Sequence, residues 1–139
     1  MKNSLRKSIA ILAIFVLAAV PALAVHVEGT GLLWARGHGW LEVEGEGSVT
    51  ISGTGLVRVE GADRTKVSPG WGNTWQERVG ETTYTYYEGS GRLILSGDEL
   101  EVRFDGTGRV KAEGTGFADF DGDGSWYTKK SGFRKPKYE

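Results

Sequence analysis

Hydrophobic and polar residues alternate over two long stretches of this chain. In residues 29–60 the odd positions carry Leu33, Leu41, Val49 and Val57, whereas the even positions between them are mostly charged or polar. Because successive side chains of a strand point to opposite faces, a period of two indicates half-buried β-strands and not an amphipathic helix. The pattern therefore predicts an all-β protein.

Gly-x-Gly triplets divide this alternation into units of eight residues. The units occur in two halves that flank an irregular middle, and one interval in the second half is nine residues long. The glycines that open the units are Gly29, Gly37, Gly45 and Gly53 in the first half, and Gly89, Gly97, Gly106, Gly114 and Gly122 in the second. Regular spacing of this kind indicates repeated structural units.

Two architectures fit these units. If each triplet is a three-residue hairpin loop, the chain is an antiparallel meander of about ten short strands that closes into a small barrel or sandwich. Such hairpins pair Ala35 with Leu41 and Val43 with Val49. The meander is favoured because an even-length loop around residues 97–99 absorbs the interval of nine.

The alternative is a β-solenoid of eight-residue sides that stack at glycine corners. This architecture uses both glycines of every triplet, whereas the hairpin explains only the second one. It requires a β-bulge near Gly97 to accommodate the longer interval.

The first 24 residues have the pattern of a secretory signal peptide. A basic opening precedes an apolar run at residues 9–20, and the small-x-small triplet of residues 22–24 follows. An uncleaved anchor would need roughly 18 apolar residues, more than this run supplies. We therefore expect cleavage after Ala24 and a mature protein that is secreted, periplasmic or on the cell surface, with no transmembrane segment.

The mature chain is expected to be one domain. Residues 25–128 form the glycine-repeat β domain, with an irregular insertion at residues 62–88, and residues 129–139 form a basic flexible tail. The whole chain has 17 basic and 18 acidic residues and no cysteine. This composition excludes disulfides and thiolate metal sites, and the near-neutral charge argues against a nucleic-acid partner.

Four tryptophans are candidate ligand-binding residues. Trp34 and Trp40 lie on the even, outward side of the alternation, and in the meander they become diagonal neighbours; Trp71 and Trp75 lie in the insertion. Indole rings beside hydrogen-bonding groups suit sugar rings or a partner surface. The alternatives are that Trp34 and Trp40 face a second sheet, and that the insertion is a plug with buried tryptophans.

The acidic run at residues 119–125 resembles the opening of an EF-hand calcium loop. Asp119, Asp121 and Asp123 are two residues apart, and Gly124 stands at the sixth position. The twelfth position is Lys130 instead of a bidentate glutamate, and the same residues fit the eight-residue repeat. A weak calcium site is one interpretation, and ordinary acidity of the repeat is the other; no other cofactor is indicated.

The inventory of catalytic groups is poor. The chain has two histidines and lacks the HExxH and nucleophile-elbow motifs, so no enzymatic activity is expected. The sequence favours a secreted or envelope-associated structural or interaction protein that binds itself, envelope polymers or glycans. The alternative is a monomeric extracellular module that binds carbohydrate or calcium.

Overall fold

A computed structural model describes residues 24–130, which form one antiparallel sheet of four strands. The strands are β1 (Val25–Glu60), β2 (Arg64–Val67), β3 (Asn73–Val79) and β4 (Thr82–Lys130). The prediction of an all-β fold is confirmed. Residues 1–23 of the predicted signal peptide and residues 131–139 of the predicted tail lie outside the described residues, and β4 ends two residues inside that tail.

The strands β1 and β4 wind around each other. Leu41 on β1 pairs with Phe104 on one side and with Phe120 on the other, sixteen residues further along β4. In turn, Phe104 pairs with both Leu41 and Val57, which are sixteen residues apart on β1. Each strand therefore returns to the same angular position after sixteen residues, which contain two Gly-x-Gly triplets.

The triplets divide the two long strands into short segments that pair in two series. The first ladder consists, in order of pairing, of residues 125–129, 32–36, 109–113, 48–52, 92–96 and β2. The second ladder consists of residues 25–28, 117–121, 40–44, 101–105, 56–60, 82–88 and β3. Apart from β3 and residues 82–88, which follow each other within the second ladder, consecutive segments along the chain alternate between the ladders. Every triplet therefore carries the chain from one ladder to the other.

The predicted meander of short hairpins is wrong. Ala35 pairs with Val110 and Trp126, not with Leu41, because the triplets continue the strand instead of reversing it. The predicted barrel closure is also wrong. Within the described residues the sheet stays open, since the first ladder ends at 125–129 and β2 and no pairing joins these ends.

A β-bulge accommodates the interval of nine residues in the second half. Gly45 pairs with Leu100 and Gly47 pairs with Gly97, so Glu46 alone stands opposite the two residues 98 and 99. The extra residue moves the inward-facing positions of β4 from Leu93 and Leu95 to Leu100 and Val102. This is the feature that the solenoid alternative requires at Gly97.

The inner side chains of both ladders belong to one apolar cluster. Its buried members are Leu33, Leu41, Val49, Ile51, Val57, Val59, Trp71, Leu93, Leu95, Leu100, Val102, Phe104, Val110 and Ala118. No polar side chain among the described residues is buried. Because the core takes only the inner side chains, the outer side chains of both ladders remain at the surface.

The insertion closes one end of the winding. Backbone hydrogen bonds attach it to β4, from Ser68 N to Arg92 O at 3.0 Å and from Ser90 N to Gly70 O at 3.1 Å. Directly after Gly70, Trp71 enters the apolar cluster and is 2% exposed. The insertion therefore covers the core at this end, as the plug alternative expects for Trp71.

Candidate functional site

The outer surface of the first ladder has a strong excess of positive charge. Alternation around the buried Leu33, Val49 and Leu93 places the neighbouring side chains on this surface. Its basic side chains, which define the basic face, are Arg36, Arg64, Lys66, Arg92, Arg109, Lys111 and Lys129. Among the described outer positions of the first ladder, Glu113 is the single acidic residue.

The outer surface of the second ladder is mostly acidic. It surrounds the buried Leu41, Val57 and Val102 in the same way. Its carboxylates, which define the acidic face, are Glu28, Glu42, Glu44, Glu60, Glu77, Glu88, Glu101, Asp105, Asp119 and Asp121. Arg58 and Arg103 lie among them. The winding therefore separates the charges of a nearly neutral chain onto two surfaces.

Three carboxylates of the acidic face stand side by side on adjacent segments. Glu101 pairs with Glu44 on one side and with Glu60 on the other. Partial burial raises the pKa of Glu101, and the neighbouring charge of Glu44 raises this pKa further. Arg58, whose Nη2 lies 4.0 Å from Glu101 Oε2, lowers it but does not cancel the increase. Like charges directly opposite each other destabilise a sheet, so this row opposes folding of the isolated chain.

The two arginines of the acidic face already have partners. Arg58 donates to Glu42 Oε2 at 3.4 Å, and its guanidinium lies 4.8 Å from the centre of the Tyr84 ring. Arg103 donates to both carboxylate oxygens of Asp105, at 3.1 and 3.4 Å. The other carboxylates of the face therefore far outnumber the cations available to them.

The basic face contains a row of positive charges that resembles the row of three carboxylates on the acidic face. Arg36 and Arg109 pair directly across adjacent segments, and both are exposed. Arg92 lies in the same row, two segments beyond Arg109, with Ser52 between them. Within residues 24–130, no carboxylate lies at ion-pair distance from any of these three guanidinium groups. Their charges are available to a partner.

The structure places Trp34 and Trp40 on different faces, so the expected diagonal contact between them does not form. Trp34 belongs to the basic face, where Tyr127 stacks on it at 6.0 Å and Lys111 Nζ lies 5.7 Å from its ring centre. Trp40 belongs to the acidic face, where the Arg103 guanidinium lies 4.8 Å from its ring centre. Neighbouring side chains thus already pack against the ring planes that a sugar would use.

The two tryptophans of the insertion have different environments. Trp71 is buried in the core, and its Nε1 has no hydrogen-bond partner within the described part of the chain. Trp75 is 37% exposed on β3, the last strand of the second ladder, and stacks on Tyr86 at 5.2 Å with parallel rings. Of these two indoles, Trp75 is the one at the surface.

The three aspartates of the predicted calcium loop lie along one extended segment. Asp119 Oδ1 contacts His26 Nδ1 at 2.5 Å, Asp121 pairs with Trp40, and Asp123 lies in a triplet opposite His38. The described residues contain no group of three or more His, Cys, Asp or Glu arranged to hold a metal ion. Calcium binding stays a prediction.

The separation of charge does not appear when the even positions of β1 are assigned to a single outward side, because consecutive eight-residue units lie on different ladders. Arg36 falls in one unit, and Glu42 and Glu44 fall in the next. Sorting alternate units into two sets, one for each ladder, reveals the two signs of charge.

Within residues 24–130, no helical segment has the length and apolarity needed to cross a membrane. The chain matches no protein-family model, no curated protein and no solved structure. Its function therefore has to be argued from its own surfaces.

Proposed function

We propose that this protein is a secreted or envelope-associated structural or interaction protein, without enzymatic activity, that acts through its two charged faces. The separation of basic and acidic side chains onto the two ladders carries this proposal. A surface dominated by one sign of charge attracts oppositely charged partners and accelerates their association. The signal-peptide pattern of residues 1–24 supports an extracytoplasmic location.

The winding of β1 and β4 into two ladders suits such a role. Repeating sides build extended, regular surfaces from short segments, and partners of repeat proteins bind surfaces of this kind. The continuous pairing of β1 with β4 holds the charged side chains in fixed rows. A partner with regularly spaced charges therefore meets a preorganised surface, which reduces the entropy lost on binding.

The test is salt-dependent retention of the mature chain, residues 25–139, on three immobilised probes: the protein itself, polyglutamate and polylysine. We expect retention on at least one probe at about 20 mM NaCl and release at about 500 mM, where the Debye length falls to about 4 Å. Replacing Arg36, Arg92 and Arg109 with serine should weaken retention on polyglutamate. Absence of retention on all three probes would refute the proposal.

A second candidate function is glycan binding at the end of the second ladder. The exposed Trp75, stacked on Tyr86 with Asn73 and Glu88 hydrogen-bonded beside it at 3.0 Å, favours this function. An aromatic surface next to hydrogen-bonding groups fits a sugar ring. If the function is correct, Trp75→Ala abolishes retention on the glycans that hold the wild-type protein, whereas Val79→Ala, at another exposed apolar side chain of β3, leaves it intact.

A further inference from the structure

The basic and acidic faces are built from segments with the same spacing. Most segments of both ladders have five residues and belong to the same sixteen-residue winding. Neighbouring segments of a sheet lie about 4.8 Å apart, and five residues span about 17 Å. Rows of side chains on one face are therefore spaced like the rows on the other face.

The charges of the two faces are complementary in detail. On the basic face, Arg36 and Arg109 occupy adjacent segments of one row, and Arg92 continues the row two segments further. On the acidic face, the row through Glu44, Glu101 and Glu60 occupies three adjacent segments, and Glu28 continues this row two segments beyond Glu44. When Arg109 lies over Glu44 and Arg36 over Glu101, Arg92 lies over Glu28. Each arginine can then approach a carboxylate without a change in the backbone.

Both rows are also unfavourable in the isolated molecule. The row through Glu101 places like charges opposite each other, and so does the pair of Arg36 with Arg109. A second copy whose acidic face covers the basic face would convert both repulsions into attractions. A neutral or apolar partner would not relieve them.

Resting on the proposed function above, we propose that the basic face is the docking surface for the acidic face of a second copy of this chain. The contact joins two different surfaces and is therefore heterologous. A docked pair still has one free basic face and one free acidic face. Copies therefore add one after another into an open stack. The basic face therefore binds a second copy of the chain. Binding of a polyanion to this face instead is the competing outcome in the test.

The size of the faces sets the expected strength of the contact. Six segments at about 4.8 Å and a width of about 17 Å give roughly 500 Å² per face, or about 1,000 Å² buried in both copies. This area lies at the low end for specific protein interfaces, below the roughly 1,200 to 2,000 Å² of stable complexes. Stacking is therefore weak, concentration-dependent and sensitive to salt.

Light scattering coupled to size-exclusion chromatography of the mature chain tests the proposal. At about 20 mM NaCl the mass should exceed that of the monomer and rise with protein concentration, and at about 500 mM NaCl it should return to the monomer. Association that persists undiminished at high salt would overturn the proposal. This measurement on the wild-type protein does not depend on whether any variant folds.

Two variants identify the faces involved. R36S/R92S/R109S removes the row of the basic face and introduces the residue already present at Ser52 and Ser125 of that row. E44Q/E60Q/E101Q neutralises the three adjacent carboxylates in the row of the acidic face while keeping the shape of their side chains. Each variant alone should remain monomeric, whereas an equimolar mixture should form dimers and stop there, because each variant retains the one intact face that the other one needs.

A matched control neutralises three exposed carboxylates at the bulge that belong to neither row. E46Q/D98N/E99Q should associate as the wild type does.

Stacking that survives in both triple face variants, or a mixture that stays monomeric, would overturn the proposal. A wild-type protein that is monomeric at low salt but retained on polyglutamate would overturn docking of a second copy and leave the proposed function standing. A monomer retained on no probe would overturn both.

Discussion

Gly37 and Gly124 face each other across β1 and β4 without room for a side chain between them. A Cβ atom on Gly37 would lie 2.8 Å from the Cα of Gly124, and a Cβ on Gly124 would lie 2.8 Å from the Cα of Gly37. Because the strands are antiparallel, the first glycine of one triplet meets the last glycine of another. This pairing explains why both glycines of a triplet are needed.

Replacing one of these glycines should therefore destabilise the fold. Gly37 has a φ of 148°, a conformation that costs a residue with a side chain about 1 to 3 kcal/mol, and the overlap with the partner backbone adds to this cost. We expect Gly37→Ala to lower the free energy of unfolding by at least about 2 kcal/mol. Urea unfolding followed by circular dichroism measures the change.

Gly72→Ala is the matched control for this substitution. A Cβ on Gly72 would meet only the Pro69 carbonyl oxygen, at 3.7 Å, so its effect should stay below about 0.5 kcal/mol. Equal losses of stability in the two variants would show that the paired triplets impose no special steric constraint.

Neutralising Glu101 should stabilise the protein at pH 7. Its pKa is raised by burial and by Glu44, with smaller contributions of the same sign from Glu60 and Glu42, and Arg58 opposes them. The folded state therefore holds the proton more tightly than the unfolded state. The resulting stabilisation is present below the ordinary pKa of 4.5 and is lost as the pH rises through the folded pKa.

Glu101→Gln removes this penalty and should raise the free energy of unfolding at pH 7 by about 0.5 kcal/mol at low salt. The gain should shrink in high salt, because the repulsion that the substitution relieves is screened. Glu99→Gln, at the exposed bulge, should produce no comparable gain. Thermal unfolding at two salt concentrations tests this expectation, and a loss of stability in Glu101→Gln would contradict it.

Trp71 should contribute far more to stability than Trp75. Truncating a fully buried large aromatic side chain removes apolar contacts and leaves a cavity, so Trp71→Ala should cost about 3 to 5 kcal/mol. Trp75→Ala, at the surface, should cost less than about 1 kcal/mol. Denaturant midpoints of the two variants provide the comparison, and similar midpoints would show that the insertion is not a structural cover of the core.

The sequence predicts the side-chain pattern of this fold better than its strand pairing. Alternation at Leu33, Leu41 and Val49 correctly identifies the inward positions, because burial requires one apolar face whatever the partner strand is. The partners of these residues lie far away in the chain, and a local alternation contains no information on such distances. Leu41 fits equally well opposite Ala35 in a hairpin and opposite Phe104 in the winding.

The first glycine of each triplet was the sequence signal for the correct pairing. A three-residue hairpin leaves Gly37 unexplained, whereas the antiparallel winding sets it against Gly108 and Gly124. The charged faces depend on the same long-range pairing. Their members come together only when units two apart along the chain are assigned to the same ladder.

The protonation of His26 should control how firmly the first segment of β1 is held. His26 Nδ1 lies 2.5 Å from Asp119 Oδ1 and Nε2 lies 3.2 Å from Glu28 Oε1. The hydrogen bond to Asp119 raises the pKa of His26 above its ordinary value of 6.5, desolvation opposes the increase, and Glu28 adds to it. The contribution to stability is therefore complete below pH 6.5 and is lost as the pH rises through the folded pKa.

This loss should be local, because residues 25–28 pair only with residues 117–120 within the described chain. The protection of the Val27 and Glu28 amides against exchange, relative to the unstructured rate at the same pH, should fall as His26 loses its proton. Protection of the buried Val57 amide should instead follow global unfolding. In an NMR titration, Asp119→Asn should lower the pKa of His26, whereas Asp123→Asn, which removes a carboxylate without contact to His26, should leave it unchanged. A wild-type pKa at or below 6.5, or equal values in the two variants, would show that Asp119 does not hold this end of β1.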